Sequence, residues 1–229
     1  MKALLYKEFK LAMHPICYIF IALFPFMILI PSYPIAIGFI YILSCYPVLF
    51  LGANKGQQSN DLLFSTLLPV RKKDIVLARI LTVVIMQLAF IAIMSCLWPL
   101  ANFIRGTINQ QLIDAGKEPN TDAGFGLNAY ISTLAFAVIG YAIADLIYFS
   151  VYYKHGKSIV ASTLLTILGF VFYLGIFTIG LPFVPAYGAF FTNNIWIQVG
   201  FLGIAIVVSI LLHFAVYKVA SKELEQVDF

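Results

Sequence analysis

Residues 16–51 read ICYIFIALFPFMILIPSYPIAIGFIYILSCYPVLFL, and none of these 36 side chains is charged. As one helix the run would be about 54 Å long at about 1.5 Å per residue, nearly twice a hydrocarbon core of about 30 Å. It therefore crosses a bilayer twice. The break falls at Pro31-Ser32-Tyr33-Pro34, where two prolines remove backbone donors and push the residues before them out of helical geometry. The resulting spans, 16–30 and 35–51, are short, so polar flanks are drawn in or the bilayer thins locally.

The rest of the chain agrees with that solvent. Hydrophobic residues make up 62% of the sequence and charged ones 10%, with a mean hydropathy of +0.97. Globular domains average about 45–50% apolar and about 25% charged, so a soluble core could not hide this much apolar surface. The net charge of +4 comes in short clusters between apolar runs, not along one basic face, which excludes nucleic acid as the partner and points to membrane topology. Cys17, Cys45 and Cys96 each sit in an apolar run without metal-ligand spacing and read as packed thiols.

Working outward, residues 1–14 place Leu5, Phe9, Ala12 and Met13 on one side of a helix, with Lys2, Lys7, Glu8 and Lys10 around them. That pattern suits an elbow-like helix lying in the membrane interface before Pro15 turns the chain inward. No A-x-A-like site follows Ile30, so the segment is expected to be retained and not cleaved as a signal peptide. Beyond a polar island at 54–79, further spans are predicted at 80–100, 128–148, 159–181 and 195–217. The third is expected to end at Trp98-Pro99. Residues 102–128 read as an external loop with a short helix over 107–115, 182–194 as an apolar re-entrant segment, and 218–229 as a charged tail. The expected fold is all-α: one polytopic domain with six transmembrane helices.

Charge orients it. All 14 Lys and Arg except Arg105 and Lys117 fall in the N-terminal segment, the island, the turn around Lys154 and Lys157, or the tail. With six spans these four segments share one side, which the positive-inside rule makes the cytoplasm, with both termini inside.

No catalytic or metal-binding constellation is present: the three histidines are far apart, and HExxH and GxSxG are absent. Gly156-Lys157-Ser158 mimics the end of a phosphate-binding loop, but the first glycine of that motif would be Val151. The chain thus has no ATPase of its own and is not expected to be an enzyme. Two ionisable residues lie within spans, Asp145 and His213. Each is costly in lipid, which marks them as an intramembrane pair or as part of a pathway. Gln87, Ser95, Ser132, Thr133, Thr166, Thr178, Gln198 and Ser209 are expected to hydrogen-bond between helices or back to their own turn.

The island itself contains a short helix. Ser59 or Asn60 can cap it, Asp61 suits its N-terminus, and Pro69 stops it by disfavouring helix at Leu68. Leu62, Leu63, Phe64 and Leu67 are too apolar for a free loop and need a partner: a membrane surface, a hydrophobic groove on another protein, or the underside of the chain's own helices.

The run Asn60-Asp61-Leu62-Leu63-Phe64-Ser65-Thr66-Leu67-Leu68-Pro69-Val70, followed by Arg71-Lys72-Lys73-Asp74-Ile75-Val76-Leu77-Ala78-Arg79, resembles the loop between spans two and three in permease subunits of type-2 ABC exporters. The likeness is greatest to the small six-span subunits with which Gram-positive bacteria export antimicrobial or cytolytic peptides. That family usually has Ser or Thr between Val70 and the first basic residue, where this chain has Arg71. The resemblance implies that Asp61, Leu62, Leu63, Phe64, Leu67, Leu68 and Arg71 couple the chain to a separate ATP-binding subunit, on which ATP and Mg would be bound. This chain would bind no cofactor itself. A second permease chain, identical or related, an amphipathic peptide or hydrophobic cargo, and a bacterial cell membrane are implied with it. The alternative is an ATP-independent channel or secondary transporter, whose usual mid-membrane charges and repeated signature loops are missing.

Overall fold

A computed structural model describes residues 2–12, 15–23, 25–26, 69–118, 127–154, 159–176 and 194–226. Among them every regular element is helical: α1 (Lys2–Lys7), continued by a π-helical stretch Glu8–Ala12, α2 (Pro15–Leu23), α3 (Lys72–Asp114), α4 (Leu127–Lys154), α5 (Ile159–Gly175) and α6 (Ile195–Gln226). Three of these, α3, α4 and α6, are long and apolar enough to cross a membrane, and α5 is a shorter apolar helix. The second predicted span, the helix at 61–68, the turn at 155–158 and the segment 182–193 lie outside the described residues.

Helix α3 corrects one expectation. Its 43 residues run without interruption through Trp98 and Pro99, and the helix expected over 107–115 is its last turns. Pro99 removes one backbone hydrogen bond, a loss that breaks helices in water but is tolerated inside long apolar ones. The helix is about 64 Å long, about twice the hydrocarbon thickness, so it projects beyond the membrane. It ends where Gly116, at φ 69°, takes the left-handed conformation that glycine adopts at no steric cost. The charged residues from Lys218 to Gln226 likewise continue α6 as helix.

Residue pairing shows how the helices run. Between α4 and α6, Ser132 meets Gln198 and Asp145 meets His213, partners 66 and 68 residues apart, so the two helices are parallel. Between α3 and α4 the numbers oppose: Arg79 reaches Tyr152, Gln87 reaches Asp145 and Ser95 reaches Tyr130, so these helices are antiparallel. Lys73 lies 3.2 Å from Glu225 and joins the start of α3 to the end of α6. The basic residues Lys72, Lys73, Arg79, Lys154, Lys218 and Lys222 are thereby gathered at one end, and Arg105 and Lys117 lie toward the other.

The core holds a dense aromatic column on α4. Tyr148, Phe149, Tyr152 and Tyr153 are buried, with neighbouring ring centroids 5.1–6.2 Å apart in stacked and edge-on pairs. Several polar residues on the spans bond as expected, Thr166 to the Ser162 carbonyl and Ser95 to both the Ile91 carbonyl and Tyr130. Cys96 departs from expectation: it is exposed on α3 and not packed.

Where α4 and α5 cross, small residues let the backbones approach. A Cβ on Gly140 would lie 2.8 Å from Cε2 of Phe170 and 3.0 Å from Cε1 of Tyr173. Neither ring can yield easily, since Tyr173 donates from Oη to the Phe136 carbonyl at 2.8 Å. A Cβ on Gly169 meets only the flexible tip of Ile147. Helix propensity favours alanine by about 1 kcal/mol at either position, so the two sites should part company. Thermal unfolding of the purified protein should show Gly140→Ala destabilised by about 1–3 kcal/mol through overpacking and Gly169→Ala unchanged or stabilised. Equal shifts would contradict this packing.

Candidate functional site

Asp145 is completely buried, and side chains from two other helices converge on it. Gln87 of α3 donates its side-chain amide to both carboxylate oxygens at 3.1 Å, and His213 of α6 places Nε2 3.0 Å from Oδ2. One carboxylate on α4 therefore ties three long helices at one level.

The hydrogen bonds also restrict the proton. His213 Nδ1 lies 2.7 Å from the Ser209 carbonyl, which can only accept, so Nδ1 carries hydrogen. Two arrangements remain for Nε2: imidazolium donating to carboxylate, or a protonated Asp145 donating to neutral imidazole. Gln87 donating to both oxygens favours the ionised carboxylate, which can accept at each. A charge without water is tolerable only because its acceptor positions are filled; stripping away one partner of such a pair costs about 3–5 kcal/mol.

His213 and Ser209 also form part of the wall of a groove between α3, α4 and α6, with a volume of about 600 Å³. Leu81, Val84 and Leu88 come from α3, Leu134 and Val138 from α4, and Leu202, Ile206, Ile210 and Phe214 from α6. The other wall residues are apolar or, for Tyr217, aromatic. The buried ion cluster thus lies directly behind an apolar surface.

A second polar joint lies at the basic end. Arg79 at the base of α3 donates Nε to Glu8 Oε2 at 3.1 Å, Nη2 to Glu8 Oε1 at 3.4 Å and Nη1 to Tyr152 Oη at 3.4 Å. Lys7 Nζ is 3.5 Å from Glu8, and all four residues are buried. Lys7 and Glu8 of the N-terminal segment therefore face inward, while Lys2 and Lys10 are exposed. Glu8 and Arg79 are 71 residues apart. The only sequence signal for the pair is an acid placed within a basic N-terminus.

Of the predicted site residues, Asp145 and His213 are in contact. Arg71 lies just before α3 with extended backbone (φ −71°, ψ 140°). Its exposed side chain meets Asp74 at 3.3 Å. Asp61, Leu62, Leu63, Phe64, Leu67 and Leu68 fall outside the described residues. Gln87 was expected only to bond between helices and proves to be the third member of the cluster. Among the described residues no group of three His, Cys, Asp or Glu is placed to hold a metal.

A family model described as ABC-2 family transporter protein matches residues 3–224. No curated protein and no solved structure matches the chain.

The cluster makes a prediction that separates a paired charge from a packed side chain. Asp145→Leu should lower stability by about 3–5 kcal/mol, because it leaves the buried Gln87 and the half-buried His213 without their shared acceptor. Adding Gln87→Leu and His213→Leu to the same protein should recover most of that loss in the same unfolding assay. If Asp145→Asn changes neither assembly nor transport, the pair has no role in the transport path.

Proposed function

Because the chain belongs to the ABC-2 transporter family, as a match across residues 3–224 shows, and is therefore a transmembrane subunit of an ABC transporter, we propose that it exports an amphipathic or hydrophobic cargo, with a cytolytic or antimicrobial peptide as the favoured class. The energy comes from a separate ATP-binding subunit. Val151 stands where the first glycine of a phosphate-binding loop would have to be, which supports an external energy source. A second permease chain, identical or related, completes the pathway. The assembly works in a bacterial cell membrane with the basic end of the helices and both termini in the cytoplasm.

The observation that carries this reading is the apolar helix predicted in the island. Leu62, Leu63, Phe64 and Leu67 sit among polar and basic residues, where free exposure to water would be unfavourable and a groove on a soluble subunit would bury them. Pro69, Val70 and Arg71 alone separate Leu68 from the first turn of α3. A displacement of the island therefore acts on α3 almost without slack.

Helix α3 gives that displacement a route. Its first turns carry Arg79, bonded to Glu8 and Tyr152, and about two turns further on Gln87 grips Asp145. A force at the base of α3 would shift α4 and α6 with it. Alternating access then follows when closure of two ATPases rocks two such bodies between inward-facing and outward-facing states.

The test is copurification with the ATP-binding subunit of the same transport system. Leu63→Asp combined with Phe64→Asp should reduce the complex at least tenfold while the permease still inserts in the membrane. Retained binding with normal ATP-driven export would remove the island from the coupling role. Transport persisting without the ATPase would favour the ATP-independent alternative.

A further inference from the structure

The groove between α3, α4 and α6 is long. It extends along α6 from Leu202 to Tyr217, about 22 Å at about 1.5 Å per residue. Its volume is about 600 Å³.

The chemistry of the wall narrows the occupant. Only three of the wall residues, Ser209, His213 and, at the basic end, Tyr217, carry polar groups, and His213 directs both ring nitrogens to partners in the protein. Peptide N–H and C=O groups laid here would lose their hydrogen bonds to water and find almost none in return, at a cost of several kcal/mol each. A hydrocarbon chain has nothing to satisfy. Charge appears at one end of the groove: Lys218 stands 4.7 Å above the ring of Phe214, itself a wall residue, and Lys222 follows one turn later on α6, both exposed.

We propose that this groove is a lipid site, holding one acyl chain of an anionic membrane lipid with its phosphate at Lys218 and Lys222. The chain lies against the face of α6 that carries Ile206, Ile210 and Phe214, directly over the His213 ring. Bound there, the lipid covers the side of the Asp145 cluster that faces the groove and excludes water from it. The site is independent of the cargo and of the export direction proposed above, and its test needs neither.

Full-length protein in nanodiscs containing both phosphatidylglycerol and phosphatidylcholine would be labelled with a trace of either lipid carrying a photoreactive diazirine in one acyl chain, and the adducts mapped by peptide mass spectrometry. Labelling by the phosphatidylglycerol probe should concentrate on α3 near Leu88 and on α6 between Leu202 and Ile210. It should fall at least tenfold in Leu88→Trp, a rim position already 59% exposed, where the larger ring fills the groove without disturbing the core. Leu168→Trp, on the outward face of α5, should leave labelling unchanged. Lys218→Gln should remove the preference for phosphatidylglycerol over phosphatidylcholine. Three results would each overturn the proposal: even labelling of α5 and the groove, equal labelling by the two probes in the unmodified protein, or an Ile210→Cys variant forming disulfides between copies across the groove.

Discussion

A carboxylate sealed away from water sets the terms for this bundle. Asp145 sits where α3, α4 and α6 meet, and its two oxygens are filled by Gln87 and His213. Nothing in the hydrophobic effect holds helices together once lipid surrounds them, because the tails are as apolar as the side chains. Packing contacts and the few interhelical polar bonds have to do so. Ser132 with Gln198, Ser95 with Tyr130 and Tyr173 with the Phe136 carbonyl are neutral links of that kind. The Asp145 cluster differs in being charged, and its failure would strand a buried ion. The three helices are thus bound to move together.

The Arg79 joint adds a second level of constraint at the basic end, where Glu8 draws the N-terminal segment onto the base of α3 and Tyr152 links the same arginine to α4. Between the two joints lies a column of buried aromatic rings. Whatever enters α3 from the island meets a stiff body, fastened near its base and again at Gln87. This is the arrangement expected of a subunit whose energy arrives from outside the membrane and whose internal helices must not slide past one another.

Much of this could be read from the residues alone, and the failures have physical causes. The membrane class follows from long uncharged runs, and Asp145 and His213 stood out because an ionisable group in a span has few cheap explanations. Their contact with Gln87 did not stand out, since a lone glutamine among apolar residues carries no sign of which helix it faces. Nor could the inward side of α3 be chosen from hydrophobicity. Leu88 and Phe103 on its exposed surface are as apolar as Phe90 and Met94 on its buried one, because lipid rewards both. Pro99 reads as a stop only by a rule drawn from helices in water, and α3 runs through it. Glu8 with Arg79 was hidden by distance along the chain. The predicted coupling helix at 61–68 rests on its capping residues, its proline and its apolar face.

On the proposed mechanism, α3 and α6 travel as one body when a separate ATP-binding subunit acts. Spin labels at Leu88 on α3 and Ile210 on α6, both exposed and both lining the groove, report that distance directly in the reconstituted complex with and without ATP. The separation should stay constant to within about 2 Å, below the scale of a true rearrangement. If α3 instead moves away from α6 by several ångströms on ATP binding, the buried carboxylate is not the clamp described here.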